Sequence, residues 1–290
     1  MSGNGLEKNS YLYGSMHVSD KVSYHLSDAF FQHLLEADMV ANESEPSTWI
    51  DLYGVLSAGG YDYYAGNFYS QFYLAPLSKE QMYPLFYMNN FTMNNLLFRT
   101  NEYQKEYQEE TYLDMFIYRT GRKYNKKTVG LEDTKTSLIN IMNADLSNAR
   151  PKEENMAALQ KILKNNQYEE VMMNFYREKD LDMIDSLTVL STSEDYLKAL
   201  LYDRNTVMVK SIDSLAQKGS LFAAVGAAHL PGKKGIIEML RKKGYTVTPV
   251  FDSYTEEGKA KKQQIEEFFI KPAYKKYTTA DRKIELPVHR

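Results

Sequence analysis

The stretch Leu221-Phe222-Ala223-Ala224-Val225-Gly226-Ala227-Ala228-His229-Leu230-Pro231-Gly232 decides the fold. Its first eight residues are an unbroken apolar run, the pattern of a strand buried on both faces. His229 closes the run, three residues after Gly226, and Pro231-Gly232 marks a turn. A helix is predicted from about Lys234 to Lys243, with Gly244 as its C-terminal cap. Tyr245 to Phe251 is strand-like. The beginning of the chain has the same plan. Ser10 to Met16 reads as a strand, and His17 follows Gly14 by three residues. A helix is predicted from about Ser27 to Ala37, with Ser27 as N-cap and Phe30, Phe31, Leu34 and Leu35 on its apolar stripe. Asp38 to Glu43 is a short strand ending in acid. The fold class is therefore α/β: a central mixed sheet built from two related strand–Gly-x-x-His–helix–strand units, about 10–50 and 220–251.

Between the units the chain reads as a helical insertion forming a cap, about 50–125 and 150–218. Leu96 to Lys123 is predicted as one long helix. Residues 151–218 are predicted as three helices, the last from about Ser193 to Lys218. Thr128 to Glu132 is a third strand ending in a carboxylate. Residues 50–75 are crowded with Tyr and Gly, a composition that suits a substrate-binding surface but equally reflects a chain with 24 tyrosines. The extension 252–290 holds a charged helix and a last strand, Lys283 to Val288. No low-complexity linker interrupts residues 1–290, so one domain is expected.

Composition narrows the function classes. The 290 residues are 43% apolar and 25% charged, as in an ordinary globular protein. A net charge of -3 implies no nucleic-acid partner. With no cysteine, thiol nucleophiles, disulfides and cysteine zinc sites are excluded. No run approaches a membrane span, and the first residues are not a signal peptide. Nothing in the composition sets an oligomeric state.

His17 and His229 are the leading site residues. Each follows a predicted strand end, where α/β folds place their ligands. The preceding glycine lets the backbone turn tightly or approach a ligand. Glu43 and Glu132 occupy comparable strand-end positions. If the strands are neighbours, Glu43 converges with both histidines, and two imidazoles with one carboxylate form a usual set for a divalent ion. Manganese, cobalt and zinc are the candidates. Such an ion makes hydroxide available near neutrality, and Glu132 is the candidate base. Arg204 is either a surface charge or a guanidinium that stabilises an oxyanion or holds a substrate carboxylate. Asp114 is placed to orient a histidine or that arginine. His33 reads as a helix-face residue, His289 as tail, and His25 has no site-like setting.

Several segments resemble the TraB/GumN family, which includes relatives of the animal Tiki proteases. Ser10 to Val18 is similar to its opening "YLxGTxHV", and Ala37 to Glu43 to its "ADxVxxE". Leu113-Asp114, Gly130-Leu131-Glu132 and Asp203-Arg204-Asn205 resemble its "LD", "GLE" and "ERN" signatures. Ala224 to Val247 is close to "VGAAHLPGxxGxxxLLxxxGYxV". The resemblance covers Ser10 to about Val250. It implies a Tiki-like fold shared in outline with erythromycin esterases, and a metal-dependent hydrolase or peptidase using His17, His229 and Glu43. Its substrate would be a peptide or small molecule. It also implies an extracytoplasmic location, periplasmic or membrane-anchored, with a leader that this sequence lacks. Two other readings stay open: a metal-free, esterase-like hydrolase with His17 as base, and a protein that binds haem or a metal without turnover.

Overall fold

The computed structural model of the chain describes residues 1–16, 23–45, 48, 113–137, 150–251, 253–270, 274–278 and 285–289. Its first elements are β1 (Ser2–Gly3), β2 (Tyr11–Ser15), α1 (Asp28–Glu36) and β3 (Met39–Asn42). Helix α1 starts where expected, with the Ser27 hydroxyl accepting the Phe30 N–H at 3.2 Å. Next come α2 (Leu113–Lys123) and β4 (Lys127–Gly130). The insertion contributes α3 (Met156–Leu163), α4 (Tyr168–Glu178) and α5 (Leu181–Ser191), followed by α6 (Glu194–Leu197) and α7 (Asp203–Ala216). A π turn, Lys198–Tyr202, joins α6 to α7. The last elements are β5 (Leu221–Gly226), α8 (Ile236–Lys242), β6 (Tyr245–Thr246), α9 (Glu256–Ile270), β7 (Tyr274–Thr278) and β8 (Glu285–His289).

The described central sheet has the order β2-β5-β3-β4, with every neighbouring pair parallel. Antiparallel pairing also occurs, but in two separate two-stranded sheets, β1-β6 and β7-β8. Strand β5 lies between β2 and β3 and is buried along its whole length, as its apolar run requires. Alternation assigns its side chains to two cores. Phe222 and Ala224 join Phe30, Phe31 and Leu34 of α1 and Leu113, Phe116 and Ile117 of α2. Leu221, Ala223 and Val225 join Met208, Val209 and Ile212 of α7 and Leu240 of α8. A third, smaller cluster unites Leu159, Val171 and Leu187 from α3, α4 and α5.

Three expectations need correction. The region 151–218 holds four α-helical stretches before β5, counting α6–α7 as one interrupted helix, not three. Neither the α3–α4 turn nor the α4–α5 turn contains glycine or proline to mark it; left-handed Lys164 and Lys179 make the two turns instead. The second unit's last strand does not enter the central sheet: only Tyr245–Thr246 is extended, and it pairs with β1. Each unit thus has its first strand in the central sheet and a helix later in the chain, and the two differ in where the last strand pairs. The tail carries a hairpin, β7-β8, where one strand was expected. The Tyr-rich stretch and residues 96–112 of the predicted long helix lie outside the described residues.

Candidate functional site

The parallel register brings the carboxyl ends of β2, β5, β3 and β4 to one edge of the sheet, where such folds place their sites. Ser15, the last residue of β2, pairs with Gly226, the last of β5. His17 itself lies outside the described residues. Beyond β5 the chain makes a 3-10 turn, Ala227–His229, that buries the His229 ring to 3% exposure. Glu43 follows β3, and Glu132 comes two residues after β4. Their relative position is fixed by backbone bonds: Leu131 N–H donates to Asn42 C=O and Glu132 N–H to Glu43 C=O, both at 2.9 Å. The approach is close enough that a Cβ on Gly130 would stand 2.8 Å from the Glu45 nitrogen, so only glycine fits there.

Arg204 gathers these residues. Its Nε donates to Glu132 Oε1 and Oε2 at 3.0 and 3.2 Å. Its Nη2 donates to Glu43 Oε2 at 2.6 Å and also to Glu132 Oε1. Its Nη1 donates to the Leu200 carbonyl at 3.2 Å and stands 3.4 Å from His229 Nε2. Leu200 is in the π turn, a feature found often at functional sites. The other Glu43 oxygen, Oε1, accepts the Gly226 N–H at 2.6 Å and lies 3.5 Å from His229 Nε2. Asn205, beside Arg204 on α7, holds His229 from behind: its Oδ1 is 2.6 Å from Nδ1. Its amide donates in turn to Lys234 C=O at 2.9 Å.

Burial sets the electrostatics. It raises the Glu132 carboxyl above the usual carboxylate range; the Arg204 bonds pull it back only in part, and the Glu43 charge pushes it further up. Burial works against the Arg204 charge as well, but Glu43 and Glu132 outweigh it and raise the guanidinium's pKa. With side chains only 14%, 11% and 5% exposed for Arg204, Glu43 and Glu132, this is a buried acid–base–acid cluster. Removing its cation leaves two acids in one small space.

The site therefore unites Glu43, Glu132, Arg204 and His229. Asp114 bonds the strand ends: its carboxylate accepts the Ser15 hydroxyl at 2.6 Å, and its backbone carbonyl accepts the Asn42 amide at 3.1 Å. It thereby ties down the ends of β2 and β3. His25 and His33 stack on Tyr254 and Tyr11. Asn205 was missed as a site residue from the sequence; its adjacency to Arg204 in Asp203-Arg204-Asn205 was the one available signal.

Among the described residues no group of three or more His, Cys, Asp or Glu side chains surrounds a single ion position. Two of the expected ligands nevertheless suit one. Ligands about 2.1 Å from a tetrahedral ion lie about 3.4 Å apart, and His229 Nε2 and Glu43 Oε1 are separated by 3.5 Å.

The chain is thus an α/β protein whose polar cluster lies past the carboxyl ends of parallel strands. It belongs to the TraB/PrgY/gumN family, whose model matches residues 1–249. No curated protein and no solved structure matches it at a significant level. No helix among the described residues is long and apolar enough to cross a membrane.

Proposed function

We propose that the chain is a metal-dependent hydrolase acting on peptide bonds, with His229, Glu43 and His17 as the ion's ligands. The observation that carries this reading is the 3.5 Å spacing of His229 Nε2 and Glu43 Oε1, with Asn205 seated on the opposite ring nitrogen. A ligating histidine characteristically has its other nitrogen held by such a partner. The tautomer follows: Nδ1–H donates to the Asn205 oxygen, and Nε2 keeps its lone pair for the ion. When bound, the ion would lower the pKa of a coordinated water and make hydroxide available. The remaining work falls to the chain. Glu132, its carboxyl raised by burial, is suited to accept a proton near neutrality. Arg204 offsets the charge of both acids, so that Glu43 stays beside His229 without a second cation.

A metal-free hydrolase with His17 as general base is the second reading. It is favoured by Arg204 Nη1, a fixed cation standing 3.4 Å from the same His229 nitrogen. Chelation separates the two. Hydrolysis of a peptide library with Mn2+, Co2+ or Zn2+ is expected to fall to background after chelation and to return with the ion. Activity that survives complete metal removal sinks the metal mechanism.

Asn205→Ala is expected to weaken metal affinity about ten- to a hundredfold, because the His229 ring loses the partner that sets its tautomer. Calorimetric titration with Co2+ measures this directly. An unchanged affinity would show that Asn205 does not orient a ligand.

A further inference from the structure

Strand β2 is an edge of the described central sheet: β5 covers one side of it, and the other borders a cleft of about 510 Å³. Successive residues of a strand turn their N–H and C=O groups to opposite sides. Ser10 exchanges bonds of 2.8 and 3.0 Å with Met1, on the side away from β5. The Gly14 carbonyl accepts the Tyr176 hydroxyl at 3.0 Å on that same side. Leu12, midway between them, therefore turns both its backbone groups into the cleft. An edge of this kind is a template for another extended chain.

The walls suit such a chain. Tyr11, Tyr13 and Phe30 line one face of the cleft, and Leu12, Leu230 and Ile237 the other. Alternate side chains of an added strand would meet these two apolar walls in turn. Cations stand on the rim. Arg177 and Lys179 belong to it, Arg241 is there too but pairs with Glu238 at 2.6 Å, and the described lining contains no Asp or Glu. At its far end the cleft reaches Gly14 and Ala227, and Ala227 lies two residues before His229. A chain laid on β2 is thereby led to the candidate site.

We propose that this cleft binds an extended peptide carrying acidic side chains, which adds to the edge of β2 by main-chain hydrogen bonds and runs toward the site at His229. For the peptide's fate after binding the proposal rests on the hydrolase reading; for the binding itself it does not. Main-chain bonds supply affinity, and the cationic rim selects sign.

The test is fluorescence polarisation with a fluorescein-labelled octapeptide alternating glutamate and valine, in the presence of chelator so that metal-dependent turnover does not intervene. Two further versions carry N-methyl groups at every odd or every even position. One parity is expected to bind about tenfold more weakly, because it loses the bonds to β2, and the other less than about twofold. A lysine-for-glutamate peptide is expected to bind about tenfold more weakly, and the exposed double substitution R177E/K179E to reverse that preference. Equal effects of the two parities, no binding of the glutamate peptide, or equal binding of the lysine peptide would each overturn the proposal. Hydrolysis is scored separately on the peptide library. Parity-dependent binding with no hydrolysis leaves the cleft assignment standing and removes the hydrolase; hydrolysis with no parity effect does the reverse.

Discussion

Arg204→Ala is expected to cost about 3–5 kcal/mol of folding stability at neutral pH, the penalty for leaving buried charge without its partner. The guanidinium bonds Glu132 through Nε and Nη2 and Glu43 through Nη2, and all three side chains are largely out of water. The loss has a pH signature. In the native chain burial already raises the Glu132 carboxyl, against the pull of Arg204. Without the arginine, burial and the neighbouring Glu43 raise it further. A carboxyl with a raised native pKa binds its proton more tightly folded than unfolded. The stability it contributes is therefore complete below the unfolded value of about 4.3 and is lost as pH rises through the native one. The deficit of the variant should thus be smallest in acid and grow toward neutrality, while the unaltered chain shows a milder slope of the same sign. Urea unfolding of both proteins at pH 5 and pH 8 reads the difference. A deficit below about 1 kcal/mol at pH 8, the scale of an exposed pair, would mean the cluster is not the buried unit described.

His229→Ala is expected to lower peptide hydrolysis by at least about a thousandfold, roughly 4 kcal/mol of barrier. Nε2 is the ring atom turned toward Glu43 and Arg204. On the proposed metal reading its loss would take a ligand from an ion with few protein groups to hold it, and a weakly held ion would no longer activate water. A structural loss comes with it. Asn205 is 1% exposed and its Oδ1 loses the imidazole, which costs about 1–3 kcal/mol. The two effects separate by measurement. Thermal unfolding reports the structural loss, and Co2+ titration of the folded variant reports the ligand. Activity within tenfold of the unaltered chain, in a folded variant, would remove His229 from the machinery.

The sequence showed most clearly what local pattern encodes. The apolar run Leu221–Gly226 marked a doubly buried strand, and it is the one packed between two others. Ser27 before Phe30 and Phe31 marked the start and the inward face of α1. Glu43 and Glu132 stood out as acids at strand ends, and they meet because β3 and β4 are neighbours. Strand pairing was not legible. Tyr245 to Phe251 has strand composition, yet composition does not say which strand it joins, and the partner is Ser2–Gly3. Arg204 was equally consistent with a solvated helix face, because only tertiary packing turns that face toward two carboxylates. The π turn ahead of it has no residue signature: Lys198-Ala199-Leu200-Leu201-Tyr202 reads as ordinary helix. Asn205 was hidden for the same reason, since one side-chain bond to a residue on another element leaves no mark on periodicity.

The strand order also governs how the chain can be made. Strands β2 and β3 emerge early, but the strand that joins them is β5, which begins at Leu221. A ribosome adding about 5–20 residues per second needs some 10–40 seconds to cover the roughly 180 residues between β3 and β5. Through that interval the nascent chain carries apolar strand edges with no partner, and such edges invite pairing with other chains. Stop codons placed before Leu221 should therefore yield insoluble product, while α1, α2 and the early strands wait for the piece that makes them a sheet.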